Sequence, residues 1–352
     1  MTEAPSAPSV PVMIEIEDIQ SGALHHRPSP SVGVFLFLRI ANPQVGRAML
    51  KQLLPAIDGG LPSPDPDQDA WVSVSLSYQG LKALGAPQAS LDSFPLEFQQ
   101  GMAARAAELG DVGDSAPEHW DAPFGSPEVH VALSALAPDA ARLEVALARA
   151  RDAYQQTPGI TLLAVQPVQQ LPTKRTFFGF KDGISYPQIE GSGITGSNPQ
   201  EPQLKAGEFI LGYVDETGNL PSMQKPEVLG RTGTYLAIRK LHTKVAAWRQ
   251  YLRANATSPA VEGLLAAKMV GRWPSGAPLA LAPEQDDPAL GDDRGRNNDF
   301  LYREHDPRGF KCPAGAHIRR VNPRDAEVLG IPGSTASFAG APATARRCRR
   351  GC

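Results

Sequence analysis

Six segments in the first half of the chain switch between a strand period and a helix period in an order that few folds accommodate. "SVGVFLFLRI" (31 to 40) is an unbroken apolar run rich in Val and Phe, the mark of a buried strand. In "NPQVGRAMLKQLLP" Asn42 suits a cap and Pro43 the first helical position, Val45, Met49 and Leu53 share a face, and Pro55 stops the helix. "WVSVSLS" (71 to 77) sets Val72, Val74 and Leu76 against serines, and Ser77 then caps a short helix that Gly85 closes. "VHVALSAL" (129 to 136) alternates in the same way. "PDAARLEVALARARDAY" then places Leu143, Leu147 and Tyr154 on one helical side, and "GITLLAVQ" (159 to 166) returns to strand character. Strand, helix, strand, then strand, helix, strand predicts an antiparallel sheet with helices on one face, the ferredoxin-like arrangement.

The second half repeats the ingredients. Strands are expected at 207–214 ("GEFILGYV") and 233–241 ("GTYLAIRKL"). A helix follows with Val245, Trp248 and Leu252 at helical spacing, and another opens at Ser258-Pro259 and runs through Met269. The predicted class is α+β, a ferredoxin-like first half followed by a second half of sheet and helices. At 352 residues, 41% hydrophobic and 20% charged, the chain is long enough for both. The expected division is a disordered leader over 1–12, a first domain over 13–175, a second over 176–325 and an irregular tail over 326–352. The tail is crowded with Ala, Gly and Arg and has neither period.

A net charge of −3, with both signs interspersed, gives no basic footprint for nucleic acid. No apolar run reaches bilayer length, and no export signal is legible. Cys312, Cys348 and Cys352 are odd in number and gathered late, which suits a reducing interior rather than a disulfide framework. The expected location is the cytoplasm.

Two stretches carry chemistry. In "FFGFKDGISYPQIEG" (177 to 191) Asp182 stands between glycines among aromatic residues, either as a turn-former or as a working acid/base. In "GFKCPAGAHIRRVNPRD" (309 to 325) His317 lies among small residues ahead of Arg319, Arg320 and Arg324. Imidazole suits iron, and arginines suit a cofactor bearing carboxylates, although a lone histidine is more often a surface or satisfied core residue. Arg239 and Lys240 either meet the carboxylates of a cofactor or, the favoured reading, face solvent or an ion-pair partner, and Trp71, Trp120, Trp248, Trp273 and Tyr186 read as packing residues more than electron relays. The other histidines show no ligand spacing.

"GFKDG" is similar to the Gly-x-x-Asp-Gly signature of the dye-decolourising peroxidases, and "CPAGAHIRRVNPRD" resembles that family's haem-ligand segment. The likeness extends through "SFPLEFQQGMAARAAELGD", "EFILGYVDETGNLP", "GTYLAIRKL" and "AAKMVGRWPSGAPL", from about residue 14 to 325. It implies haem b, one per chain, in an enzyme of two ferredoxin-like domains, with the second, over 176–325, binding the haem. His317 matches the iron ligand and Asp182 the distal acid/base, while Gly183, Ile184, Asn322, Pro323 and Arg324 fall where the family lines the haem. The implied partners are hydrogen peroxide and a bulky phenolic or dye-like reductant, with a homo-oligomer as a possible assembly. An inactive haem-binding or haem-free remnant, and a deferrochelatase-like activity on haem itself, stay open.

The likeness stops near Asp325. The family's distal arginine, its Gly-x-Pro-aromatic-Gly turn and its proximal carboxylate have no legible counterpart: "GIPG" (330 to 333) lacks the aromatic, and Arg346, Arg347, Arg349 and Arg350 sit in unmatched surroundings. The chain therefore reads as a truncated or frameshifted member whose second domain is incomplete.

Overall fold

The first sheet follows from which strand must be buried on both sides. Strand β1 (Val32–Ile40) is buried almost without interruption, and this places it inside the sheet rather than at an edge. In the computed structural model it pairs on one side with β3 (Val131–Ala137), Leu36 opposite Leu133, and on the other with β4 (Ile160–Gln169), Leu36 opposite Val165. β2 (Trp71–Leu76) completes the sheet against β3 in the order β2-β3-β1-β4, and every neighbour is antiparallel. That is the ferredoxin-like order expected from the sequence. The structure describes residues 13–25, 28–29, 31–61, 70–194 and 203–325, so the leader over 1–12 and the tail over 326–352, with its arginines and two of the cysteines, lie outside the described residues.

Helix α1 (Pro43–Leu53) begins as expected, with Asn42 accepting the Val45 N–H at 3.0 Å and Pro43 in the first turn. Helix α2 (Ala140–Gln155) begins on Asp139, which accepts the Arg142 N–H at 2.8 Å. α1 and α2 pack beside each other on one face of the sheet. Met49, Leu53, Ala146, Ala150 and Tyr154 meet Val34, Leu36, Leu38, Val72 and Leu133 there in one core. The alanines of α2 reach the centre, while Leu143 and Leu147 pack at its margin, because small side chains let the helix axis approach the sheet.

His130, at the start of β3, accepts the Ile40 N–H on Nδ1 at 3.0 Å. Burial holds its pKa below the ordinary 6.5; nearby Arg39 pushes the same way and Glu128 opposes it. Between the ordinary and the lowered value the unfolded chain binds more protons, so the stability contributed by neutral His130 is complete above the ordinary value and is lost as pH falls through that window. The urea midpoint is therefore expected to drop as pH falls below the ordinary histidine value of 6.5, and His130→Gln should reduce that drop; an equal drop in the variant would assign it elsewhere.

The second half is built mainly from helices and turns. Helix α3 (Val245–Ala254) packs against α4 (Pro259–Val270), which starts on Ser258 as expected. The strands expected at 207–214 and 233–241 do not form among the described residues. A strand exists only through a ladder partner, and the backbone contact between these two segments is a turn-like pair of bonds at one end of the second, Leu211 N–H to Gly233 O and, from the residue just before that segment, Thr232 N–H to Leu211 O. Instead 233–241 lies along the excursion between β2 and β3, with Tyr235 beside Phe98 at 5.4 Å. Arg239 pairs there with Asp111 and Lys240 with Asp121, the ion-paired reading of these two residues. Tyr235, Leu236 and Leu241 remain exposed.

A second core gathers Trp273, Leu279, Phe300, Tyr302 and Cys312. A third joins the beginning of the chain to its middle: Ile14, Ile19 and Leu24 pack with Ile189, Ile210 and Tyr213. Arg231 adds an ion pair to Glu15 at 2.8 Å.

Candidate functional site

Asp182 sits in a turn that its glycine neighbours make possible. Gly179 and Gly183 have φ of 93° and 73°, the left-handed region that a side chain resists. The Asp182 carboxylate accepts the Gly183 N–H on Oδ1 at 2.9 Å, so it is a turn-former, and that bond also fixes the carboxylate's rotation. The loop is seated on its neighbours. Lys181 donates to Gly291 O at 2.9 Å and to Asp292 at 2.7 Å, a hydrogen bond that holds the Asp292 carboxyl below its usual range. Gly276, against the Ile184 side chain, has φ of 104°, a left-handed conformation that favours glycine.

His317 opens helix α5 (His317–Val321) and is exposed. Two residues later Arg319 is buried, since positions i and i+2 of a helix face nearly opposite ways. A five-residue helix is not stable alone, and here the buried arginine anchors it. Arg319 Nη1 meets Asp306 Oδ2 at 3.1 Å and Cys312 O at 2.9 Å, and its guanidinium lies 4.2 Å from the Tyr302 ring centre. Asp306 also accepts the Lys311 N–H at 3.1 Å and the Cys312 N–H at 2.7 Å. Burial pushes the Tyr302 hydroxyl and the Cys312 thiol up, so both stay protonated near neutral pH.

Beyond α5, Asn322 accepts the Arg324 N–H at 3.2 Å, Pro323 is buried, and Arg324 adopts φ of 54°. Arg324 turns inward. Nη1 donates to Asn298 O and Phe300 O, both at 3.0 Å, and Nη2 to Asn298 Oδ1 at 2.5 Å. Asp325 receives the Tyr302 N–H at 2.7 Å, which satisfies an open donor at the start of the short helix Tyr302–His305.

Asn298 ties the two stretches together. Its Nδ2 donates to Ser185 Oγ at 3.2 Å, three residues past Asp182, while its Oδ1 receives Arg324 and, at 2.6 Å, Arg272. The sequence reading singled out Asp182 and His317 and passed over Asn298, Arg272 and Asp306, which the structure places in the network that anchors and joins their two segments. The available signal was the Asn297-Asn298 pair inside a charged run, since adjacent amides there suggest bonds to buried backbone. Trp273 is a core residue and Trp248 stacks on Phe178 at 4.6 Å, both packing roles. A groove of about 540 Å³ over Phe178, Trp248 and Tyr251 is lined by neither Asp182 nor His317.

The donor chemistry fits a haem iron at one residue: the exposed imidazole of His317, on an anchored helix, could hold it. Arg324, by contrast, is engaged internally, donating to two backbone carbonyls and the Asn298 amide oxygen.

A ferredoxin-like α+β unit is joined to a helical half in which Asn298 bridges the Asp182 loop and the segment that follows the His317 helix. The chain belongs to the dye-decolourising peroxidase family. Residues 18–161 match the family model described as the DyP dimeric alpha+beta barrel domain. Dye-decolorizing peroxidase of Mycena epipterygia is 31% identical over 337 residues, covering 88% of this chain and 60% of that protein. The enzyme of the same name from Exidia glandulosa is 33% identical over 308 residues, covering 80% and 58%. A solved dye-decolorizing peroxidase in complex with 2,6-dimethoxyphenol superimposes with a TM-score of 0.74 at 28% identity, covering 93% of this chain and 77% of that one. The chain thus spans at most 60% of the length of these two curated relatives.

Proposed function

We propose that the chain binds one haem b and uses hydrogen peroxide to oxidise bulky phenolic or dye-like reductants. The observation that carries this reading is the outward-facing His317 on a helix fixed by buried Arg319, linked through Asn298 to the loop of Asp182. The kinship to dye-decolorizing peroxidases, one of them solved with 2,6-dimethoxyphenol, supports it. In this reading His317 would hold the iron, and Gly183, Ile184, Asn322, Pro323 and Arg324 would line the haem, Arg324 through its backbone because its guanidinium is engaged internally.

When bound, haem supplies the redox centre at which peroxide is reduced and the organic donor gives up electrons. Asp182 supplies the proton handling. Its carboxylate, held in rotation by the Gly183 N–H, takes a proton from one peroxide oxygen and delivers it to the other, so that the latter departs as water. A carboxylate does this without needing to be a strong base, because peroxide becomes more acidic beside a metal ion.

The test is the absorbance spectrum of the protein titrated with hemin, before and after His317→Ala. A Soret band that shifts on binding, and a loss of that shift in the variant, are expected; an identical spectrum from both proteins removes His317 as the ligand. A second reading, a folded chain without turnover, is favoured by the exposed and unladdered stretch 233–241. Loaded protein whose spectrum does not respond to peroxide would select it.

A further inference from the structure

We propose that Asn298 is a positioning residue: through one hydrogen bond to Ser185 it sets where the Asp182 carboxylate stands relative to His317. The proposal rests on the roles given above to Asp182 and His317.

The side chain of Asn298 is fully buried. Its orientation follows from chemistry, because a guanidinium can only donate. The atom facing Arg272 Nη2 and Arg324 Nη2 must be the carbonyl oxygen, and so the NH₂ group faces Ser185. Both arginines are themselves fixed. Arg272 is buried and donates to Gly276 O at 2.9 Å and Asn297 O at 2.6 Å. Arg324 holds the carbonyls of Asn298 and Phe300 and stacks 4.0 Å from the Phe300 ring centre. The Asn298 amide is therefore a rigid donor, attached on its far side to the segment that follows His317.

The loop it holds is less constrained. Gly183 and Ser185 are exposed, and exposed loops open at low free-energy cost. Asn297, the adjacent amide, donates to Gly291 O at 3.0 Å, the same carbonyl that receives Lys181 Nζ. Two neighbouring asparagines thus secure the Asp182 loop on both sides, one through Lys181's acceptor and one through Ser185. A shift of the carboxylate by a fraction of its hydrogen-bond length is enough to degrade proton transfer, which needs reach of about 2.6–3.2 Å.

Ser185→Ala removes the acceptor at an exposed position and leaves the buried arginine contacts alone. In hemin-free protein, amide exchange at Gly183, Ile184, Ser185 and Tyr186 is expected to speed up by up to about tenfold, the size of one ordinary hydrogen bond, while α4 keeps its protection. In hemin-loaded protein, kcat/KM for peroxide should fall while the His317-dependent spectrum is retained, and Ser185→Thr should restore both exchange and rate. Unchanged exchange at residues 183–186, or acceleration spread equally over α4, overturns the proposal, the second because it marks a general structural role. If instead His317→Ala leaves the hemin spectrum intact, the haem reading fails, and the exchange result still decides whether Asn298 secures the loop.

Discussion

Replacing Asp306 with alanine is expected to destabilise the hemin-free protein by about 3–5 kcal/mol, because it strands the Arg319 guanidinium in a buried site. Both partners are almost completely buried, at 4% and 5% exposure, so solvent cannot take over the lost charge. The deletion also removes the acceptor for the Lys311 and Cys312 amides. Urea denaturation measures the cost, and Asp306→Ala with Arg319→Met separates its parts: the double variant should be more stable than Asp306→Ala alone, because no bare charge remains. A single variant that unfolds at the wild-type urea concentration would show that the pair contributes nothing. The surface pairs, such as Arg39–Glu128, are expected to be worth a small fraction of this, since both partners are well exposed.

Asp182→Asn is expected to lower the rate of peroxide consumption by about 10²- to 10⁴-fold, the usual worth of a positioned acid/base. The amide can still accept the Gly183 N–H through its oxygen, so the turn and its glycines should hold. What it loses is the capacity to take up a proton. The comparison is made on hemin-loaded protein by stopped-flow, with circular dichroism and hemin affinity as controls. A variant that keeps wild-type kinetics with intact hemin binding would leave Asp182 as a turn residue only.

The first unit was legible in the sequence because each of its choices agrees at several levels. Asn42, Ser77 and Asp139 all cap as their residue types suggest, and the unbroken apolar run of β1 marks a strand with neighbours on both sides. The stretches 207–214 and 233–241 misled for a physical reason: Tyr, Leu, Ile and Val report that a segment suits a pleated surface, not that a partner is present to pair with it. At the site, Asp182 and His317 stood out by residue type and setting. Asn298 and Asp306 did not, because their importance comes from burial and, for Asn298, from a partner 113 residues away, neither of which residue type reveals. The inward turn of Arg324 was hidden for the same reason.

The packing of Ile14, Ile19 and Leu24 against Ile189, Ile210 and Tyr213 imposes an order on assembly. Glu15 and Tyr213 bond across 198 positions of sequence, so the opening segment leaves the ribosome long before its binding surface has been made. Its apolar side chains must wait in water or in temporary company. The segment carrying Ile14, Ile19 and Leu24, made before the partners it packs against, is therefore late to reach its final place.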